Sequence, residues 1–314
     1  MTGNRLLIYS IALLLLPLLV AWWELSVIGA VVLVAMMLFW RHGITLSGIL
    51  FPAKTADIEL ESISISHFVE KVRWCLDRHG VEYTERKAAG IIGVFFLGRM
   101  VPQLHIRTGN SRSTIGNSSD ILRFLWGRYG AESGERAAFL EPDAERLSLE
   151  RKIDRYGRDL QIWLYYHTLD NRTLSLRIWG RDDHEIAAWQ RFLMSMMYPV
   201  LRAFLYKGFS ISEQGYVEAK QRIDAFLTEM ETCCNDGQHS ITSGSEIDFI
   251  DISFAAISSV WVQPDGYGGG RADSVLIAPE DLPAGLITDQ QEWCEKYPQV
   301  LAFVERMYRE ERQV

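Results

Sequence analysis

From Leu6 to Trp23 the chain carries no charge; Glu24-Leu25-Ser26 interrupts, and Val27 to Trp40 is uncharged again. The first run is about long enough to cross a hydrocarbon core as a helix, and the second is short on its own. One straight helix over both would bury Glu24, so the pattern predicts two apolar helices, about 6–23 and 25–40, bent into a transmembrane hairpin near Glu24. Arg5 precedes the first run and Arg41-His42 follows the second, which puts both ends on the cytoplasmic face; Trp22, Trp23 and Trp40 sit where interface-seeking aromatics belong. No A-x-A-like cleavage site separates the runs, against a removable signal peptide. Residues 1–50 are therefore expected to be a membrane anchor, with Pro52-Ala53-Lys54-Thr55 as a short linker.

Beyond the linker the periodicity changes. Ile58, Leu60, Ile63 and Ile65 alternate with small polar residues and predict a strand. Val69, Val72, Cys75 and Leu76 recur at helical spacing, with Glu70, Lys71, Arg73 and Asp77 filling the other face. Gly80 is placed to end that helix as a left-handed cap. Val81–Arg86 reads as a second strand, and Gln103–Arg107 with Arg112–Ile115 as a hairpin around Thr108-Gly109-Asn110. Ser118 is expected to cap a helix whose apolar face is Ile121, Leu122 and Leu125. Between Gly127 and Pro142 the glycines and glutamates predict a linker. After it the pattern is helical, with helices expected over 143–168, 182–207, 212–234, 248–262 and 290–312, and Pro199 disturbing the second. Ile247-Asp248-Phe249-Ile250-Asp251-Ile252 reads as a capping box, Asp248 as N-cap, Asp251 as its reciprocal partner and Ile247 stapled on Ile252.

The chain has 314 residues, enough for two domains beyond an anchor, and 48% are hydrophobic. Its formal net charge of −8, without a Lys/Arg-rich run, argues against a nucleic-acid partner. Cys75, Cys233, Cys234 and Cys294 form no C-x-x-C pair, so they read as free thiols in a reducing compartment, and no metal set is readable.

Three stretches carry a resemblance. Ser66-His67-Phe68-Val69-Glu70-Lys71-Val72-Arg73-Trp74-Cys75-Leu76-Asp77-Arg78-His79-Gly80-Val81-Glu82-Tyr83 resembles the first-strand turn and first helix of glutathione S-transferases. Val101-Pro102-Gln103-Leu104 is similar to that family's "V-P-x-L" segment, and Asn117-Ser118-Ser119-Asp120-Ile121-Leu122-Arg123-Phe124-Leu125 to its "E-S-x-x-I-x-x-Y-L". The capping box and Tyr297-Pro298-Gln299-Val300-Leu301-Ala302-Phe303-Val304-Glu305-Arg306-Met307-Tyr308 are also family-like. The resemblance covers about four-fifths of the chain and excludes the anchor. It implies an α/β thioredoxin-like domain over 57–130 and an all-α domain over 141–314, following the transmembrane hairpin.

It also implies a site. Glutathione would be the co-substrate. Ser66 matches the position where several classes carry a catalytic Ser or Cys, and its plain reading is a helix N-cap. Ser118 would bind the α-carboxylate of the γ-glutamyl group, or be a plain N-cap. Asn117 stands where the family has Glu or Gln for the γ-glutamyl amine, with Asp120 as a substitute. Val101 would pair its backbone with the cysteinyl portion, ahead of a cis Pro102. The apolar stretch Gly90–Met100 falls where the family has a mobile helix, with Arg99 its one charge. Trp163, Tyr166 and His167 would wall the acceptor pocket or belong to the core. The Gly266–Gly270 run lacks G-K-[ST] and reads as a flexible connection. The function expected is transfer of glutathione to an electrophile, lipophilic ones included. A membrane-bound adaptor and a glutathione-dependent reductase or isomerase are the alternatives. The other partners expected are the bilayer and a second copy in a homodimer.

Overall fold

The structure is a computed structural model that describes residues 27–50, 53–88, 101–109, 111–234, 239–242, 244–273 and 276–312. In chain order its elements are α1 Val27–Leu50, β1 Ala53–Ser62, α2 His67–His79, β2 Thr84–Lys87, β3 Gln103–Gly109, β4 Ser111–Gly116 and α3 Ser118–Ser133. A 3-10 segment Gly134–Leu140 follows, then α4 Ala144–Thr168, α5 Arg172–Ile178, α6 Ala188–Gly208, α7 Glu213–Cys233, α8 Phe249–Val262, α9 Ala284–Lys296 and α10 Pro298–Arg306. The four strands form one sheet in the order β2-β1-β3-β4. Strand, helix, strand, hairpin, helix is the thioredoxin-like order, and helices make up the rest. By its contacts the chain divides into two compact units, Met1–Glu59 with Leu104–Ile115, and Leu60–Gln103 with Gly116–Val314.

In the first unit, α1 continues without a break through Arg41 and His42, where the expected helix stops at 40. Its charge-free part, Val27–Trp40, is fourteen residues, short of a bilayer's hydrocarbon thickness. Among the described residues no helix is long and apolar enough to cross a membrane. The first apolar run and the bend at Glu24 lie outside the described residues, so the hairpin stands on the sequence alone. Val27, Ile28, Val31, Val32, Met36, Phe39 and Trp40 are all exposed. The hairpin of β3 and β4 turns where expected, with Gly109 at φ 56°. His105 Nδ1 and Thr114 Oγ1 meet across it at 2.9 Å.

The second unit is built around α8. Every residue from Phe249 to Ser259 is buried, because a helix apolar all round has no face to give to water. Its buried hydroxyls are all satisfied: Ser253 bonds Phe249 O at 2.5 Å, Ser259 bonds Ala256 O at 2.7 Å, and Ser258 Oγ meets Tyr156 OH on α4 at 3.2 Å. The capping box is present as expected, with both reciprocal bonds made. Asp251 also accepts from Ile241 N and Ser240 Oγ, each at 2.8 Å, so it ties a preceding loop to the helix start.

Several boundaries differ from expectation. β1 starts inside the supposed linker, at Ala53, and ends at Ser62 rather than Ile65, because Ser66 N closes a turn onto Ile63 O at 3.0 Å. The linker foreseen over 127–142 is mostly helix, with α3 running to Ser133 and the 3-10 segment after it. The helix expected over 182–207 starts only at Ala188, and the short α5 precedes it. Pro298 divides the last expected helix, since it donates no hydrogen bond and sits at the first turn of α10. The Gly266–Gly270 run is an ordered turn with four left-handed glycines; a Cβ on Gly269 would fall 2.8 Å from Arg312 Nη2. Gly90–Met100 and Arg99 lie outside the described residues.

The polar face of α2 departs from the pattern of a surface helix. Glu70, Lys71 and Arg73 are fully buried rather than solvated. Arg312 Nε donates to Glu70 Oε1 at 2.8 Å, Lys71 Nζ to Glu150 Oε1 at 2.8 Å, and Arg73 Nη2 to Glu85 Oε1 at 2.6 Å. Each charge leaves water only because an opposite one meets it.

Candidate functional site

All five site residues expected from the sequence lie in the second unit. Ser66 occupies the N-cap position of α2, with extended backbone, but its side chain makes no capping hydrogen bond. The plain reading of that hydroxyl, a helix cap, is therefore absent. Ser66 is half-buried, and its main chain does the local work: its carbonyl accepts from Val69 N and Glu70 N, both at 2.9 Å.

Beside it, His67 is buried with its ring 4.4 Å from that of Phe68, and its Nε2 has no hydrogen-bond partner. A close approach by α4 seals this corner: a Cβ on Gly157 would lie 2.8 Å from the Phe68 ring. Burial pushes the imidazole down to about 4, outweighing a hydrogen bond with the Gly157 backbone. The unfolded ring takes its proton near pH 6.5, so between these values the unfolded state binds more protons. The contribution to stability is full above about pH 6.5 and is lost as pH falls through 4, on the order of 3 kcal/mol. Urea midpoints at pH 7 and 4.5 are expected to diverge less in His67→Phe than in the parent; an equal divergence in both counts against this role.

Val101 and Pro102 are joined by a cis peptide bond, as the resemblance implies, and Pro102 is buried. This leaves the half-buried Val101 with a backbone that belongs to neither neighbouring strand.

At the start of α3 the roles of two residues exchange. The N-cap is Asn117, not Ser118: Asn117 Oδ1 accepts from Ser119 N at 3.3 Å. Asn117 holds φ 72°, a left-handed value that a non-glycine residue adopts at a cost and that is concentrated at functional sites. Ser118 is then the first helical residue. Its hydroxyl is buried and has no hydrogen-bond partner. Such a group costs roughly 1–3 kcal/mol unless something bonds it. Asp120, in the first turn, is exposed.

Under this helix start lies a buried ion cluster. Lys71 Nζ donates to Ser119 Oγ at 3.1 Å and to Asp154 Oδ1 at 3.3 Å, besides Glu150. Ser119 Oγ donates to Asp154 Oδ2 at 2.8 Å, and Arg123 Nη1 to Glu150 Oε2 at 3.2 Å. Burial alone would raise the Glu150 carboxyl; Lys71 and Arg123 more than offset it and hold it below the ordinary range. The cluster absorbs Ser119 and leaves Ser118 unbonded.

The acceptor-wall residues belong to a different arrangement. Asp289 accepts from Trp163 Nε1, Tyr216 OH and Lys220 Nζ, each at 2.8 Å, and lies 3.1 Å from His167 Nε2. Burial works to raise this carboxyl, and the surrounding donors hold it well below the usual range. Tyr166 stacks on Tyr216, ring centroids 4.3 Å apart. Trp163 is fully buried. These side chains hold α4, α7 and α9 together. Asp289, the hub, carries no signal in the sequence that sets it apart from a surface acid.

No protein-family model matches the chain, and no curated protein sequence matches it either. Among solved structures, the chain is similar to a glutathione S-transferase from Methylobacterium radiotolerans in complex with glutathione sulfonate, at 15% identity over 82% of this chain and 92% of that one, TM-score 0.49. It is similar to a rice glutathione S-transferase in complex with glutathione, at 14% identity over 82% and 97%, TM-score 0.40. A maleylacetoacetate isomerase from Anaeromyxobacter dehalogenans is similar at 16% identity over 83% and 94%, TM-score 0.36. What the site of this chain does rests on its own residues.

Proposed function

We propose that the chain is a glutathione transferase-like enzyme, attached to a membrane by its N-terminal apolar segment with the remainder on the cytosolic face. The observation that carries the reading is Ser118: a buried hydroxyl without a partner, at the start of a helix that Asn117 already caps. A carboxylate placed there accepts from that hydroxyl and meets the positive end of the α3 dipole. This fits the α-carboxylate of a γ-glutamyl group. With Asn117 Oδ1 engaged as the cap, the exposed Asp120 is the better partner for the γ-glutamyl ammonium. Val101 offers its backbone to the cysteinyl portion, and Ser66, free of capping, donates to the sulfur. The electrophile is a small molecule, and a lipophilic one suits an enzyme attached to a bilayer.

The test is calorimetric titration of the full chain in detergent with glutathione. Ser118→Ala is expected to weaken binding about tenfold or more, the worth of a hydrogen bond to a charged group. No binding by the parent at millimolar glutathione, or equal binding by Ser118→Ala, overturns this use of the site.

A further inference from the structure

Helix α6 is apolar on two sides. Met194, Tyr198, Leu201 and Leu205 are buried in a local cluster with Leu169, Leu174 and Trp179. On the opposite side, at about 100° per residue, a second stripe faces water: Trp189 is 64% exposed, Phe192 70%, Met196 60%, Val200 50% and Phe204 37%. Their spacing of three and then four residues keeps the stripe on one side of α6, which runs unbroken past Pro199, over about 22 Å. A surface helix needs one apolar face, and Trp189, Phe192, Met196 and Val200, each half exposed or more, lie away from it.

The charge pattern says what covers it. In a chain of net charge −8, α6 contains Arg191, Arg202 and Lys207 and no acidic residue. Arg191 and Arg202 fall together on one flank of the stripe and Lys207 on its C-terminal end. Arg202 bonds the exposed Asp170 and Tyr206 OH lies 3.0 Å from the same carboxylate, while Arg191 reaches Arg181 O at 3.4 Å and His184 Nδ1 at 3.5 Å and, among the described residues, no carboxylate. Tryptophan and phenylalanine in the stripe with cations beside it are the composition of a helix that lies in the plane of an anionic bilayer surface.

We propose that α6 is a second membrane contact: it lies in the headgroup region of an anionic bilayer, its Trp189–Phe204 stripe among the acyl chains and its cations toward lipid phosphates. The N-terminal apolar segment, where it anchors the chain, raises the local concentration of lipid at this helix but does not supply the contact.

The test reconstitutes the full chain into vesicles containing a photoactivatable phospholipid, neutral or with anionic phosphatidylserine, and maps lipid adducts by mass spectrometry. Adducts are expected in the peptide spanning α6 as well as in the N-terminal segment. Phe192→Glu with Met196→Glu, both at exposed positions, is expected to cut α6 adducts at least about tenfold and leave the N-terminal ones unchanged. Arg191→Gln with Lys207→Gln, which keeps the stripe, is expected to lower α6 labelling in anionic vesicles only. Adducts confined to the N-terminal segment overturn the proposal, as does α6 labelling indifferent to lipid charge. So do cross-links joining α6 of two copies and lost in the Phe192→Glu, Met196→Glu variant, since a second copy of the chain then covers the stripe. Glutathione binding is independent of all these outcomes.

Discussion

Lys71→Met is expected to lower the stability of the second unit by about 3–5 kcal/mol, measured as the loss in urea unfolding free energy. The Lys71 ammonium is wholly buried and bonds Glu150, Asp154 and Ser119. Methionine matches the stem in volume, so little of the loss comes from packing. What remains is two carboxylates facing each other without their counter-ion, one of them almost fully buried. Arg123 still reaches Glu150, but through a side chain about one quarter exposed. Adding Glu150→Gln and Asp154→Asn to Lys71→Met is expected to recover most of the loss, because no unpaired charge is then buried. A loss below about 1 kcal/mol in the single variant would falsify the assignment of this cluster as the support of the α3 start.

The same cluster shows where reading the sequence runs out. Glu70, Lys71 and Arg73 alternate with Val69, Val72 and Cys75 at the spacing of an amphipathic surface helix, and a solvated face is the natural inference. Their partners stand up to 242 residues away, at Arg312, and no local pattern announces them. Features made by neighbours in sequence fared better. Gly80 sits at φ 75° and accepts the role of left-handed cap, and the Asp248/Asp251 box is present bond for bond. The cis bond before Pro102 followed from a motif rather than from physics. Both candidate serines have a plain reading as helix caps, and neither side chain makes a capping bond. At Ser118 one unusual backbone angle, that of Asn117, decides this, and composition does not encode it. The short α5 and late start of α6 escaped for a similar reason: the stretch from Leu169 to Ile186 packs on α6 itself, so its apolar residues follow a tertiary rather than a helical period.

On the proposed function the site separates into support and chemistry. The ion cluster and Asn117 hold the start of α3, and the unbonded Ser118 is the residue proposed to bind. At the start of α2 the backbone carbonyl of Ser66 holds the turn, and its hydroxyl, which makes no capping bond, is the one proposed to act. A thiol with an ordinary pKa of about 8.5 is only a few per cent ionised at pH 7. Bringing it to half ionisation there requires about 2 kcal/mol of preferential stabilisation of the thiolate. A hydroxyl donating to a charged sulfur contributes roughly 1.5–3 kcal/mol, and the α2 dipole roughly 0.3–1 kcal/mol. The hydroxyl is the larger part. Ser66→Ala is therefore expected to slow conjugation of glutathione to a model electrophile by about 7- to 80-fold at pH 7. The pH–rate profile is expected to move up by about 1–2 units, so that the deficit shrinks toward pH 9.5, while the glutathione Kd changes by less than about threefold. A merely structural serine predicts a different result, a uniform loss at all pH values together with weaker binding. Ser66→Cys keeps a donor at the same position and is expected to retain more of the parent profile than the alanine variant. Full activity in Ser66→Ala, or a profile that does not move, removes this residue from the chemistry and leaves Ser118 with a binding role alone.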